Sequence, residues 1–390
     1  MRFGMFSAPL HPCGRNPTLY LERDLQLVRW LDELGFDEAW IGEHHSGGTE
    51  IIGSPEVFIA AAAQHTRHIR LGTGVVSVPY HHPLMVAERM VLLDHLTRGR
   101  VMFGVGPGAL PADAYMLGFD PTEARPRMEE GLEAIMALLT SDEPVTRKTD
   151  WFALREARMN LRPYTHPCFE LAIATTVSPN GPRSAGRFGG GLLSLSCSTE
   201  TGFEKLQEQW EIWDFMAAEH GHVADRGRWR MVAPIHLAES REQARREIAY
   251  GIAEWVHYFR TVVAIPAAPD TDDLDEYVDW MIDSGFAVIG TPDDAAGLIQ
   301  RLLDQSGGFG CFLVMAHDWA DPRATHLSYE LLASEVFPRF QGSAERARLS
   351  HDWAVGRAPE FMPRQMLAGQ QARESHAADM AERAARKSED

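Results

Sequence analysis

Short apolar runs alternate with longer segments of helical periodicity along most of this chain. In residues 122–139, for example, Met128, Leu132 and Ile135 recur three or four positions apart, which predicts one buried helical face. Eight of the apolar runs have the length and composition of buried strands. These runs cover residues 2–7, 38–42, 69–78, 101–105, 169–174, 192–196, 229–237 and 310–315.

Eight strands that are each followed by a helix predict an α/β fold, the (β/α)8 TIM barrel. An open doubly wound sheet is the alternative, although it rarely needs so many consecutive β-α units. We predict one barrel domain over residues 1–340. Within it, residues 262–290 form an insertion before the eighth strand, either a lid over the barrel mouth or a surface excursion. We predict that residues 341–390 form a peripheral C-terminal extension that is helical or partly disordered.

The net charge of the chain excludes some classes of binding partner. With 37 basic and 55 acidic residues, the formal net charge is −18, which argues against nucleic acid and anionic membranes because both select basic surfaces. No apolar run reaches the roughly 20 residues that cross a bilayer, and no secretion signal precedes the first strand, so we expect a cytoplasmic protein. The four cysteines lie far apart, which favours reduced thiols over disulfides or a zinc site.

The second predicted strand ends directly in Glu43, His44 and His45. Burying three titratable groups together is costly without partners or a ligand, so we interpret them as candidate catalytic residues. Neighbouring imidazoles on an extended backbone point to opposite sides, and no third ligand stands at metal-site spacing, so no metal is predicted. An imidazole that acts as a base or changes its charge during turnover is the expected chemistry. His81 and His82 are expected to lie in a solvated loop.

Two loops after later strands are candidates for ligand binding. Gly106 lies in the segment Gly-Val-Gly-Pro-Gly at residues 104–108, which suits either a tight turn at the barrel rim or the edge of a cofactor. The loop at residues 175–183 combines hydroxyls, a predicted helix N-terminus and a basic side chain, which suits a phosphate. An ordinary helix cap is the alternative for its serine. The candidate binding residues of this loop are Thr175, Thr176, Ser178, Asn180, Gly181 and Arg183.

Several motifs in this order resemble the bacterial luciferase-like, flavin-dependent monooxygenases. The resemblance rests on residues 36–45 (FDEAWIGEHH), 71–76 (LGTGVV), 82–83 (HP), 92–94 (LLD) and 99–106 (GRVMFGVG). Each motif alone has low specificity, but their order and spacing together are specific. Within the family, the chain is most similar to the limonene 1,2-monooxygenase type.

The resemblance implies a barrel that binds reduced FMN supplied by a separate flavin reductase, and that uses O2. One oxygen atom goes to a small apolar substrate such as a terpene, an alkane or a ketone, and the other leaves as water. By motif, His44 is implied to act in proton transfer near the flavin. Ser77 and Val78 match the position where such enzymes often have a cis peptide beneath the flavin ring. Relatives also suggest a homodimer.

Flavin oxygenation needs a pocket that excludes water. The predicted pocket walls are Phe6, Cys197, Trp255, Phe259, Met315 and Trp319, for which core packing is the alternative. One departure from the family concerns Pro107, which stands where luciferase has an arginine that reaches the phosphate. Either Arg183 supplies that charge instead, or FMN binds weakly enough to come and go as a substrate. The alternative functions are a deazaflavin (F420)-dependent oxidoreductase on the same barrel, a non-catalytic flavin-binding barrel and a metal-dependent barrel hydrolase.

Overall fold

Eight parallel strands close into a barrel in the computed structural model, which describes residues 1–7, 10–263 and 268–389. Each strand pairs with the next, and the last pairs with the first, so the predicted (β/α)8 fold is confirmed. The strands are β1 (Arg2–Ser7), β2 (Glu38–Ile41), β3 (Arg70–Thr73), β4 (Val101–Gly106), β5 (Glu170–Thr175), β6 (Gly191–Ser194), β7 (Trp229–Leu237) and β8 (Cys311–Met315).

Helices lie between the strands in sequence and follow the last of them. They are α1 (Pro17–Leu34), α2 (Pro55–Ala63), α3 (Pro83–Thr97), α4 (Pro111–Met116), α5 (Ala124–Thr140), α6 (Asn180–Phe188), α7 (Glu200–Glu204), α8 (Leu206–Glu219), α9 (Arg241–Ile248), α10 (Ile252–Tyr258), α11 (Leu274–Asp283), α12 (Pro292–Ser306), α13 (Pro322–Leu331), α14 (Phe337–Gln341) and α15 (Glu345–Glu389). None of the described helices is both long enough and apolar enough to span a bilayer.

The barrel interior is filled by large side chains that neighbouring glycines accommodate. Trp40 is fully buried there and packs in one cluster with Phe6, Met102 and Leu313. A Cβ atom on Gly72 would lie 2.5 Å from the Trp40 ring, and one on Gly104 would lie 2.9 Å from it. The glycines in β3 and β4 therefore leave the space that the indole occupies.

A buried ion-pair network closes the N-terminal end of the barrel. Glu38, the first residue of β2, lies 2.6 Å from Nε of Arg230 on β7, and both side chains are fully buried. Arg230 also contacts Glu170, the first residue of β5, at 2.8 Å. Burial disfavours the charge of Glu38, but the neighbouring Arg230 outweighs burial and lowers the pKa of this carboxyl. The candidate active site is therefore expected at the opposite, C-terminal end of the barrel.

Several boundaries differ from the sequence prediction. The predicted third strand ends at Thr73, and Val76–Ser77 forms a separate short strand that pairs with β4. Residues 239–259 contain two helices, α9 and α10, which are separated at Gly251 and not continuous. A Cβ atom on Gly251 would lie 2.0 Å from the carbonyl oxygen of Asp318, so close packing against the loop after β8 interrupts the helix. Residues 200–219 likewise form two helices, α7 and α8.

The predicted insertion at residues 262–290 has two ordered parts among its described residues. The helix α11 lies within it, and its last three residues, Val288–Gly290, form a strand that pairs with Ile235–Leu237 of β7. These three residues extend the sheet and do not belong to a loop. Residues 264–267 of the insertion lie outside the described residues.

The chain divides into two compact units. The first is Met1–Phe337, which contains the barrel, and the second begins at Pro338. The second unit consists mainly of α15, a helix of 45 residues whose side chains are mostly exposed. Asp390, the last residue of the predicted extension, lies outside the described residues. A hairpin of Val145–Lys148 and Ala153–Ala157 is a further element that the apolar pattern did not predict.

Candidate active site

Glu43 lies just after β2 and is held by groups from two loops. Its side chain is fully buried, and Oε2 accepts a hydrogen bond of 2.6 Å from the backbone N–H of Ser77. Oε1 lies 3.0 Å from Nε2 of His45 and 2.5 Å from Nε2 of His81. Burial disfavours the carboxylate, but these hydrogen bonds outweigh burial and lower the pKa of Glu43 to about 2. Glu43 is therefore ionised and fixed in orientation.

His81 is a site residue that the sequence prediction missed. It was expected in a solvated loop, but its ring contacts Glu43, while only the neighbouring His82 is exposed. The 3-10 turn Val78–Tyr80 directs the chain so that His81 returns toward β2. Ligand-type atoms of Glu43, His45 and His81 lie within 4.8 Å of one another, and hydrogen bonds account for this spacing. The absence of a metal from the site stays a prediction.

His44 has a different set of partners from His45. Its Nε2 atom lies 3.1 Å from Oε2 of Glu50, and its Nδ1 atom lies 3.9 Å from Oδ2 of Asp113. Glu50 also accepts a hydrogen bond of 3.1 Å from the hydroxyl of Tyr258. Burial lowers the pKa of His44, but the charge of Glu50 and its hydrogen bond outweigh burial and raise it. Glu50, Asp113 and Tyr258 were not singled out from the sequence, because they come from three separate connections.

Two buried hydroxyls lie at or just after neighbouring strand ends, and one of them belongs to the candidate phosphate loop. Within the described structure, the hydroxyls of Thr175 and Ser196 have no hydrogen-bond partner, although both are buried. Thr175 ends β5 and is aligned with Ser194, which ends β6 two residues before Ser196. A buried hydroxyl without a partner costs about 1–3 kcal/mol, so a ligand with acceptor oxygens would satisfy this pair.

The N-terminus of α6 lies beside the Thr175 hydroxyl. A Cβ atom on Gly181 would lie 2.7 Å from the Thr175 hydroxyl, so the first turn of this helix packs directly against it. Helix N-termini present free N–H groups to anions, and the side chain of Arg183 is exposed in the same turn. The residues present therefore fit a phosphate group.

The other predicted members of this loop have different contacts. Ser178 accepts a hydrogen bond of 3.3 Å from the backbone N–H of Asn180, which is the ordinary turn interaction that was the alternative for this serine. The side chain of Thr176 is exposed, and its carbonyl oxygen accepts a hydrogen bond from Gln209.

The cis peptide lies before the predicted position. It joins Gly74 to Val75, not Ser77 to Val78, because the strand ends at Thr73 and the chain turns there. A Cβ atom on Gly106 would lie 2.8 Å from the side chain of Val75, so this glycine accommodates that side chain. Val78 is buried against α5, where a Cβ atom on Gly131 would lie 2.6 Å from it. Its side chain therefore packs under a helix.

Five of the six predicted pocket walls belong to two groups. Phe6 and Met315 are paired residues of β1 and β8 and belong to the barrel-interior cluster, where Met315 is partly exposed. Trp255, Phe259 and Trp319 pack together in a second apolar cluster, in which the ring centres of the two tryptophans lie 5.2 Å apart.

Cys197 is almost fully buried, and its thiol donates to the carbonyl oxygen of Val232 at 3.2 Å. Burial raises the pKa of this thiol to about 12, so it remains protonated. Packing in the core accounts for Cys197 and for the two tryptophans.

A closed (β/α)8 barrel with buried histidines and carboxylates at its C-terminal end defines an enzyme of the TIM-barrel class. The family model described as "Luciferase-like monooxygenase" matches residues 1–308. The chain therefore belongs to the luciferase-like monooxygenase family, as its motifs predicted, and it is an oxidoreductase enzyme.

Two relatives cover most of the chain. Limonene 1,2-monooxygenase from Rhodococcus erythropolis is 49% identical over 341 residues, which is 87% of each chain. The 4-hydroxyprotoasukamycin monooxygenase from Streptomyces nodosus subsp. asukaensis is 45% identical over 358 residues, which is 91% of this chain and 96% of the relative.

Two solved structures share the fold. The oxygenating constituent of 3,6-diketocamphane monooxygenase from Pseudomonas putida, in complex with FMN, is similar with a TM-score of 0.74 and 25% identity over 87% of this chain and 99% of that chain. An F420-dependent secondary alcohol dehydrogenase has a TM-score of 0.64 and 20% identity over 86% of this chain and 98% of that chain, a likeness of fold alone.

Proposed function

We propose that the protein is the oxygenating component of a two-component monooxygenase. It would bind reduced FMN supplied by a separate flavin reductase and insert one atom of O2 into a small apolar substrate such as a terpene, an alkane or a ketone. The observation that carries this proposal is a pair of buried hydroxyls without partners among the described residues: that of Thr175, beside the N-terminus of α6, and that of Ser196, just after the neighbouring strand. A relative of the same fold is known in complex with FMN, which supports flavin binding by this protein.

Reduced FMN, when bound, supplies the electrons that activate O2. The chain's own residues would provide the rest. Thr175, Ser196 and the first turn of α6 would hold the phosphate, with Arg183 adding a positive charge. Phe6 and Met315 would exclude water from the barrel mouth.

His44 is the proposed proton-transfer group. Its ring is mostly buried and its charged form is favoured by Glu50, so it can hold a proton and deliver it inside the site. The carboxylate of Glu43 already contacts Ser77, His45 and His81. Its proposed role is therefore to fix the loops after β2 and β3 around the mouth of the barrel.

The substrate class is proposed from the relatives. Limonene is a terpene, and the relative that acts on it is 49% identical to this chain. The carbonyl substrates named for the diketocamphane enzymes, which are 26–29% identical, extend the class to ketones.

The test measures binding and oxygen transfer separately. Affinity for oxidised FMN, reduced FMN and reduced F420 is measured first by fluorescence under argon. Product formation from a panel of terpenes, alkanes and ketones is then followed by mass spectrometry, with a flavin reductase, NADH and isotopically labelled dioxygen. Incorporation of one labelled atom with FMN is expected. Absence of both FMN affinity and labelled product would overturn the proposal, and hydride transfer from F420 alone would establish the deazaflavin function instead.

The role of His44 is tested with a matched histidine variant. His44→Ala is expected to lower the amount of product formed per O2 consumed by about a hundredfold, in the range that a general acid or base contributes. His82→Ala removes an exposed histidine from a nearby loop and is expected to keep full coupling. A fully coupled His44→Ala enzyme would remove His44 from the mechanism.

A homodimer is proposed from the surface of α2 and α3, which pack against each other. Large apolar side chains on these helices are strongly exposed: Val57, Met85, Leu92 and Leu96. A second copy of the chain would cover them. Analytical ultracentrifugation should show a dimer that Val57→Asp weakens, and a monomeric wild-type protein at micromolar concentration would refute this.

A further inference from the structure

The loop between β2 and α2 folds back onto its own beginning. The backbone N–H of His44 donates a hydrogen bond of 3.1 Å to the carbonyl oxygen of Ile52. Gly47 and Gly48 both have positive φ angles, +83° and +72°. These angles allow the chain to turn tightly between His44 and Ile52. This turn places the side chain of Glu50 beside the ring of His44, six residues earlier in the chain.

Glu50 joins His44 to the helix after β7. One carboxylate oxygen lies 3.1 Å from Nε2 of His44, and the other accepts a hydrogen bond of 3.1 Å from Tyr258 of α10. Tyr258 is buried, and burial together with the charge of Glu50 raises the pKa of its phenol, so the hydroxyl stays a donor. One oxygen of Glu50 is therefore ion-paired with His44, and the other is hydrogen-bonded to Tyr258.

The second ring nitrogen of His44 is in a different state. Nδ1 is buried and has no hydrogen-bond partner among the described residues, and the closest carboxylate, that of Asp113, is 3.9 Å away. Asp113 itself accepts hydrogen bonds from the backbone N–H of His45 and from the hydroxyl of Ser46. A buried ring nitrogen without a partner is costly unless a ligand engages it.

We propose that Glu50 is the positioning residue for His44, with Tyr258 holding Glu50 in place. Glu50 keeps the proton on Nε2, and this leaves Nδ1 as the nitrogen that exchanges a proton with the bound substrate or cofactor. In the donating direction the Nδ1–H bond breaks, the proton moves to the acceptor oxygen, and the electron pair stays on Nδ1. The neutral ring then keeps its Nε2–H beside the carboxylate of Glu50. The inference deepens the proposed role of His44 and rests on it.

The charged and titratable groups that face His44 come from three connections. Glu50 and Glu43 belong to the loop that carries His44, Asp113 belongs to α4, and Tyr258 belongs to α10. All three carboxylates favour the imidazolium, and Glu50 has the largest effect of the three. His45 is the nearby basic group, and its own ring is paired with Glu43.

The first measurement is direct titration of the full-length protein by NMR, with histidine labelled at Cε1. The His44 signal is assigned by its loss in His44→Gln. Glu50→Gln keeps the shape of the side chain and removes its charge, so the His44 pKa should fall, whereas Glu50→Asp should restore most of the wild-type value. An unchanged His44 titration in Glu50→Gln would overturn the proposal, whether or not the protein oxygenates any substrate.

The second measurement is steady-state oxygenation. In Glu50→Gln, kcat for coupled product should fall about tenfold or more while KM for the substrate stays within twofold, because the group acts on the proton step and not on substrate binding. The alkaline limb of the kcat profile, where the imidazolium loses its proton, should move to lower pH. A loss confined to KM would contradict the positioning role.

Tyr258→Phe has a matched control in Tyr250→Phe, which removes the hydroxyl of an exposed tyrosine paired with Arg15. Tyr258→Phe should lower product per O2 consumed several-fold, and Tyr250→Phe should not. Equal behaviour of the two variants would remove Tyr258 from the proposal. If the wild-type enzyme fails to oxygenate any substrate, the proposed function fails, and the NMR titration still decides the role of Glu50.

Discussion

Thr175 ends β5 with a buried hydroxyl that has no partner within the described structure. Because that hydroxyl is unsatisfied without ligand, Thr175→Val should leave the free energy of unfolding of the ligand-free protein unchanged or slightly higher. Affinity for FMN should fall about tenfold or more, the value of a hydrogen bond to a charged group. Affinity for riboflavin, which lacks the phosphate, should stay the same. Fluorescence titration with both flavins measures the difference.

Thr73 is the matched control for this change. Its hydroxyl donates to the carbonyl oxygen of Gly104 at 2.7 Å and accepts from the Gly104 N–H at 2.9 Å. Thr73→Val should therefore destabilise the protein by about 1–3 kcal/mol and affect both flavins alike. Equal losses of FMN and riboflavin affinity in Thr175→Val would place the phosphate elsewhere.

Gly181 is the second residue of the phosphate loop with a specific structural requirement. A Cβ atom there would lie 2.5 Å from Cβ of Thr175 and 3.0 Å from the carbonyl oxygen of Ala174. Gly181→Ala should destabilise the protein by about 1–3 kcal/mol and weaken FMN binding, because the first turn of α6 must move away from β5. Calorimetry and flavin titration measure both effects.

Gly297→Ala in α12 is the control, since a Cβ atom there meets nothing within 4 Å. It should stabilise the protein by about 0.4–1 kcal/mol through the lower entropy of the unfolded chain. A Gly181→Ala protein as stable as wild type would contradict the close packing of α6 on Thr175.

At the scale of elements, His11 joins three parts of the barrel rim. It lies in the loop after β1, with Nε2 at 2.9 Å from Asp24 of α1 and Nδ1 at 2.8 Å from Asp318 of the loop after β8. Burial disfavours its charge, but the two carboxylates outweigh burial and raise the pKa of His11 from 6.5 to about 9. The imidazolium therefore stabilises the folded rim.

The pH dependence follows from the sign of this shift. A histidine with a raised pKa in the folded state stabilises fully below its unfolded pKa near 6.5, and this stabilisation is lost as pH rises through about 9. We expect the difference in unfolding free energy between wild type and His11→Gln to be about 2–3 kcal/mol at pH 6 and to shrink by pH 9.5. Urea unfolding at the two pH values measures it. His65→Gln, at an exposed histidine, should show no such trend.

At the scale of the whole molecule, the two compact units predict where the chain can be shortened. A chain ending at Gln341 should keep the melting temperature of the barrel and its FMN affinity, because the residues after it belong to the second unit. A chain ending at Leu331 should lose about 3 kcal/mol or more, since Phe337 is buried and its ring centre lies 4.0 Å from that of Phe3. Equal stability of the two shortened chains would contradict this division.

The fold was largely predictable because it depends on short-range patterns. The composition of the eight apolar runs predicts the strands, and the three- and four-residue spacing of apolar residues in segments such as α5 predicts the helices. The breaks were less predictable. Gly251 divides α9 from α10 because Asp318, far away in sequence, packs against it. The strand Val288–Gly290 is too short to be recognised from the sequence, because it forms by pairing with β7 in the folded protein.

The candidate site was predictable only in part. The sequence determined that Glu43, His44 and His45 follow a barrel strand, and strand order placed them at the C-terminal end with the loop at Thr175. It did not determine which side chains meet. His81, Glu50 and Tyr258 contact the histidine-bearing stretch from a 3-10 turn, a folded-back loop and a distant helix. Strand order is encoded locally, whereas such contacts depend on backbone turns that only the closed barrel fixes.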